Sequence, residues 1–317
     1  MDDKDLKIFQ MLLINNRVTH REISEKLGIS VTSVHRRVQN LIDQGIFSKF
    51  TANISTGYLK AIPVKVIGTS ECTSIGCCTS GECTAANGCM KKISRRDYVE
   101  KVYHFGSNVT ITTLLLKGLD ELGPAVEHVR DSLEIKKPTV VLPCRVTSAN
   151  TPIHKKYTGT APLSKLDFNI IKAFHEDARK PLKDVANELD ISVKTVRNHF
   201  DKMVEQGSIE LGTNWKPEKT SGIYSVVHID LNPGSDKNLY IAKMSQKFGP
   251  RILVSLEASN LPDLIVLSCW SPTMDQHVGM VEEMSQESDV ALAYSRVIRS
   301  TWLFNSWRTK LLNDMCM

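Results

Sequence analysis

No apolar run in the chain approaches the roughly 20 residues needed to cross a bilayer. The first residues, MDDKDLK, are too acidic and too polar for a secretory signal. Cys316 does not occupy the fourth-from-last position that prenylation requires. These absences predict a cytoplasmic protein with no membrane partner. Also missing are a nucleophile and base at matched spacing, a phosphate-cradling glycine loop and a His-x-x-x-His helix, so no catalytic residues are assigned and an enzyme is the weaker class. Charge imbalance is small, with 40 Lys and Arg against 35 Asp and Glu, a net of +5. That permits nucleic-acid binding without demanding it, because a basic stripe matters more than the sum.

What is present is a repeat. ISVTSVHRRVQNLIDQG, Ile29 to Gly45, returns without a gap as ISVKTVRNHFDKMVEQG, Ile191 to Gly207. Each copy reads as one helix, with Val31, Val34, Val38 and Leu41 in the first and Val193, Val196, Phe200 and Met203 in the second at steps of three and four. Ser30 and Ser192 are N-cap candidates, and Gly45 and Gly207 stop the helices. The outer face of the first carries Thr32, Ser33, His35, Arg36, Arg37, Gln39 and Asn40. That of the second carries Lys194, Thr195, Arg197, Asn198 and His199. Donors of these kinds suit phosphates and base edges, although an isolated helix with such a face is often only solvated surface.

The register extends beyond the helix, since Asp5 matches Asp167, Ile8 matches Ile170, Arg17 matches Arg179 and Leu27 matches Leu189. Two shorter helical patterns precede each copy, and Ile46 to Tyr58 and Ile209 to Tyr224 read as small hairpin wings. After each wing the period changes. Strand candidates at Ala61 to Ile67, Tyr98 to Phe105, Val109 to Leu116 and Thr139 to Val146 enclose a helix at Leu119 to Leu133. In the second half the strands are Ile223 to Leu231, Ile252 to Ala258, Leu264 to Trp270 and Val290 to Ile298. The helices there are Leu239 to Phe248, with Leu239, Ala242 and Phe248 as its apolar side, and Met274 to Ser285. The reading is an α+β chain of two winged helix-turn-helix domains, each followed by a ferredoxin-like βαββαβ sandwich. The expected divisions are 1–58, 59–147, a linker at 148–162, 163–222 and 223–317.

A winged helix opening on Asp2, Asp5 and Ile8, the string LGISVTSVHRRVQNLIDQGI and a following βαββαβ domain resemble the Lrp/AsnC family of transcription regulators. The resemblance covers nearly the whole chain as two family units in tandem. It implies binding of double-stranded DNA by a covalent pseudo-dimer, and homo-oligomers through the βαββαβ domains. It also implies an effector, often an amino acid, near an acidic turn between the second and third strands. Here the first such turn, Gly106 to Val109, has no carboxylate, and the second keeps Asp263 without the glycine. An α-amino group would lack a counter-charge in the first, which argues against amino-acid sensing.

The first half departs from its repeat at residues 70–92, where cysteine, Gly, Ser and Thr replace an aliphatic helix. Cys72, Cys77, Cys78, Cys83 and Cys89 fit neither a zinc-ribbon nor a ferredoxin spacing. Five thiols beside Lys91, Lys92, Arg95 and Arg96 still point to chemistry, because nearby cations favour thiolate. Zn, Cu(I) or an Fe–S cluster would suit soft ligands, and disulfide formation on oxidation would make a redox switch. Small buried cysteines remain the bland reading. Cys144 and Cys269 fall in strands, and Trp302 and Trp307 read as packing anchors or an oligomer contact. The function expected is a sequence-specific DNA-binding regulator responsive to metal or redox state. The alternatives are an architectural chromatin-type DNA-binding protein, or a metal-handling or redox protein that uses winged helices as a scaffold.

Overall fold

A computed structural model of the chain describes residues 1–72 and 88–316. Its first module opens with α1 (Asp3–Ile14), where the Asp2 carboxylate accepts from the Asp5 amide and Asp5 accepts from the Asp2 amide. Thr19 and Glu22 repeat that reciprocal cap at α2 (His20–Leu27). Each pair satisfies two amides that the first turn leaves without partners. Gly28 ends α2 at φ 63°, a left-handed value open to glycine without strain. Ser30 then caps α3 (Val31–Asp43) through the Ser33 amide, and β1 (Phe47–Ile54) follows.

The first sandwich contains β2 (Ile62–Thr69), α4 (Cys89–Ile93), β3 (Val99–Phe105), β4 (Val109–Leu116), α5 (Leu122–Leu133), β5 (Thr139–Val141) and β6 (Pro143–Ser148), with a two-residue β7 (Thr151–Pro152). The second module repeats the pattern as α6 (Lys165–His175), α7 (Leu182–Glu188), α8 (Val193–Gln206) and β8 (Ile209–Trp215). Then come β9 (Ile223–Leu231), α9 (Lys237–Phe248), β10 (Ile252–Ala258), β11 (Leu264–Ser271), α10 (Met274–Ser285), β12 (Val290–Leu303) and α11 (Trp307–Asp314).

The wings differ from the expected hairpins. β1 and β8 pair with each other, antiparallel, from Phe47 opposite Trp215 to Ile54 opposite Ile209. A lone strand leaves its backbone groups unpaired, and the matching strand of the other half supplies the ladder. The two modules are also cross-clamped. Arg17 donates to the carbonyls of Ala178 and Lys180 and lies over the rings of Phe174 and Phe200 at 4.8 and 5.1 Å. Arg179 returns the contact by donating to the Asn16 carbonyl at 3.1 Å and covering Phe50. Planar guanidinium groups suit this combined stacking and hydrogen bonding.

The remaining strands form one sheet in the order β5-β2-β4-β3-β12-β9-β11-β10-β6-β7. The two sandwiches meet where β12 pairs with both β9 and β3. Near the two ends β5 pairs with β2, and β6 lies between β10 and the terminal β7, and only Leu142 separates β5 from β6. Residues 139–148 therefore join both ends, and the sheet closes on itself. Asn260 reinforces the junction by accepting from the Leu142 amide and donating to the Val140 carbonyl, each at 2.8 Å.

Helices cover the outer face. Val64, Val66, Val102 and Leu114 pack with α4 and α5, while Val227, Ile229, Ile265 and Leu267 pack with α9 and α10. The apolar side of α9 is only partly the one expected: Phe248 packs against the core, but Tyr240, Ile241 and Met244 are the buried residues, whereas Ala242 is exposed and Leu239 is 65% exposed. Trp307 is buried and donates to the Leu115 carbonyl at 2.7 Å, as a packing anchor does. The winged-helix cores are continuous with side chains from the sheet's other face, including Ile111, Tyr224, Val226 and Leu256.

Candidate nucleic-acid interface

Val34, Val38 and Leu41 are buried under α3, and Val196, Phe200 and Met203 under α8. Val31 and Val193, at the exposed starts of the two helices, are 47% and 38% exposed and do not join those cores. Burial of each full aliphatic side chain contributes roughly 1.5–3 kcal/mol and fixes how the helix is rotated. That rotation leaves Thr32, His35, Arg36, Gln39 and Asn40 exposed on α3 and Ser33 half-buried. On α8 it leaves Lys194, Arg197 and Asn198 exposed and Thr195 half-buried. Gln39 donates to Asp43 at 2.8 Å, and Thr195 shares a 2.8 Å hydrogen bond with Ser192. His35 meets His20 edge to face at 5.4 Å. Burial, with Arg179 and His35 beside it, holds the His20 pKa below its ordinary value.

Arg37 and His199 are placed differently from their neighbours. Arg37 donates to Asp5 at 2.6 Å and to Asp2 at 3.0 Å, both at the start of α1. His199, its counterpart in the repeat, pairs with Asp167 at 2.7 Å. The Asp5 hydrogen bond above all raises the Arg37 pKa. Burial alone would raise the Asp167 pKa, but hydrogen bonds from His199 and Ser164 outweigh it and hold the carboxyl below its usual value. In both halves this position ties the third helix to the first instead of facing outward. Sequence reasoning grouped both residues with the readers, since helical spacing does not reveal a partner 32 residues away.

Of the five clustered cysteines, Cys77, Cys78 and Cys83 lie outside the described residues. Cys72 and Cys89, both 5% exposed, are joined as a disulfide between the end of β2 and the start of α4. The Glu134 carboxylate comes within 4.8 Å of both sulfurs. Cys89, Met90 and Ile93 cover the first sheet where the second half uses a full helix. Of the other thiols, Cys144 is exposed and Cys269 is buried in β11. Sequence reasoning missed Arg308, which bridges Glu100 at 3.1 Å and Glu210 at 2.6 Å beneath the wings. It also missed the arginine clamp, whose signal was the match of Arg17 with Arg179.

Comparison with known proteins bears on these helices. The family described as winged helix-turn-helix DNA-binding matches residues 1–47 and 163–210. The HTH-type transcriptional regulator Ptr1 of Methanocaldococcus jannaschii is 40% identical over 68 residues, covering 22% of this chain and 46% of that protein. An uncharacterized HTH-type transcriptional regulator of Pyrococcus furiosus, PF1734, is 34% identical over 55 residues, 17% of this chain and 37% of its own length. The chain thus spans less than half the length of these curated relatives. Among solved structures, the siroheme decarboxylase NirDL aligns over 98% of both chains with a TM-score of 0.57 and 11% identity, a likeness of fold.

The chain carries two winged helix-turn-helix DNA-binding domains. Its fold is a tandem of two units, each a winged helix followed by a βαββαβ domain. Because curated relatives are named as regulators and the whole-chain fold also occurs in an enzyme, the fold alone does not separate regulation from catalysis. Among the described residues no helix is long and apolar enough to cross a membrane.

Proposed function

We propose that the chain is a sequence-specific transcription regulator, and not a catalyst, that binds double-stranded DNA as a covalent pseudo-dimer. The observation that carries this reading is the pair of exposed polar helix faces held in one interlocked frame. β1 and β8 share a ladder, and Arg17 and Arg179 cross between the modules. α3 would read one major groove with Thr32, Ser33, His35, Arg36, Gln39 and Asn40, and α8 the next with Lys194, Thr195, Arg197 and Asn198. Two half-sites about 10 base pairs apart would be engaged. Because the two faces differ, the preferred site is an imperfect palindrome. Any association between chains would use the helix-covered faces of the βαββαβ domains.

A footprint followed by gel-shift titration at fixed salt tests this. Arg36→Ala is expected to weaken specific binding about tenfold, the usual scale for one lost guanidinium contact. Arg37→Ala should act mainly on thermal stability, because its partners are Asp2 and Asp5. No shift of any duplex at low salt, or a perfectly symmetric footprint with equal half-sites, would defeat the proposal. Equal tight binding to random sequence would favour the architectural reading instead.

Cys72 and Cys89 are the proposed redox or metal input. Oxidised, they hold β2 to α4; reduced, two thiolates and Glu134 present a soft, acidic ligand set. Elemental analysis and thiol counting on anaerobically purified protein, with DNA affinity measured before and after oxidation, test it. Protein without metal and with the same affinity in both redox states would remove this input while leaving the DNA reader intact.

A further inference from the structure

The closed sheet and the paired wings enclose a cavity of about 700 Å³. That falls within the range of small-molecule sites. Its floor is apolar, made by inward residues of several strands: Ile67, Ile111, Val226, Val254, Leu256 and Val266. β1 and β8 form the roof, including Thr51, Asn53 and Thr213. The mouth lies where Arg145, His154 and Lys156 line the cavity and are also exposed.

One wall is cationic. Lys65 of β2 and Lys101 of β3 both face the cavity, with Tyr103 and Thr113 beside them. Lys65 donates to the Thr113 hydroxyl at 3.2 Å. Among the described residues neither lysine forms an ion pair with a carboxylate. The carboxylates that line the same space, Glu100 and Glu210, are already bridged by Arg308, and Glu210 also accepts from the Thr56 amide.

Two ammonium groups against an apolar floor are an unfavourable pair without a counter-ion, since each charge loses hydration and repels the other. Enclosure, and then Lys101, push the Lys65 pKa down to about 8, and the Glu100 carboxylate offsets only part of that. An anion between them would relieve both effects, and its apolar part would displace water from the valine and leucine floor.

We propose that this cavity is a binding site for a small organic acid, with its carboxylate or phosphate between Lys65 and Lys101 and its apolar body on Ile111, Val226 and Val254. The site does not depend on DNA binding. It is also separate from the Gly106 to Val109 turn and from the cysteine pair.

The test uses the full chain and the fluorescent probe 8-anilinonaphthalene-1-sulfonate, an oxyanion on an apolar body. One saturable site is expected. Decanoate and decyl phosphate should compete, the stronger of them telling carboxylate from phosphate, while uncharged decanol should not. Lys65→Met combined with Lys101→Met should weaken the probe at least about tenfold, the scale of one lost charge-assisted hydrogen bond. Lys183→Met, on exposed α7, should change nothing. If the double variant unfolds, Lys101→Met alone must still weaken the probe while thermal unfolding stays unchanged. Unsaturable binding, equal competition by decanol, or unaltered affinity in the folded lysine variants would overturn the proposal.

Discussion

His228 sits on β9 at 2% exposure, its ring stacked on Tyr294 at 5.0 Å, and Arg296 lies over the other ring at 4.5 Å. Its Nε2 has no hydrogen-bond partner among the described residues. Burial first, and then Arg296, push its pKa down to about 4. The unfolded chain, at about 6.5, therefore binds the proton more readily than the folded one. Stability from this residue is fully present above pH 6.5 and is lost as pH falls from there through 4, by about 3 kcal/mol in all. Urea unfolding at pH 7 and pH 4 should show that loss in the natural protein and a smaller one in His228→Gln. Identical pH dependence in the two would contradict it. At this scale the caps were legible, since Ser30, Ser192 and Thr19 precede their helices with the right neighbours and make the bonds expected of them. Arg37 and His199 were not, because their partners belong to another helix.

Among the elements, β4, β9 and β10 fall where their hydrophobic runs place them, and α3 and α8 bury their apolar stripes except for the first valine of each, whereas α9 shifts its stripe. Leu239 and Ala242 stand three apart, yet Tyr240 and Met244 stand four apart with Phe248 a further four on, and this second stripe, with Ile241, is the one that packs on the sheet. Periodicity states that a stripe exists, and packing decides between neighbouring stripes. The wings were misread for a related reason. Alternation marks a strand without saying whose strand it pairs with, and here the partner lies about 160 residues away. In the first crossover a disulfide spanning a sequence separation of 17 stands where the second half has a twelve-residue helix. Closing a loop of that length contributes about 3 kcal/mol in the chain-entropy picture. Cys72→Ser, compared with the oxidised natural protein by thermal and urea unfolding, should lose that amount. A loss below about 1 kcal/mol would mean that the covering of the sheet rests on Met90, Ile93 and α5 without the cross-link.

For the whole molecule, the repeat makes two tandem units legible in the sequence, because capping and core residues keep one register across both halves. Closure of the sheet was not legible. It depends on Thr139 to Ser148 changing partners at Leu142, and nothing in an alternating strand marks that exchange. A half chain such as residues 1–150 keeps β6 and one edge of β3 without their partners. It is therefore expected to pair with a second copy of itself, with sedimentation analysis reporting a dimer. A folded, stable monomer would show that each half is self-sufficient.

The exchange at Leu142 also sets an order in time. β6 leaves the ribosome long before β10, its partner more than 100 residues later, and β3 waits longer still for β12. Until the second half is made, the first exposes strand edges that could pair with a neighbouring nascent chain. Such distant pairings make folding slow. Crowded translation on one message should then favour chains that exchange halves with each other over chains that close on themselves.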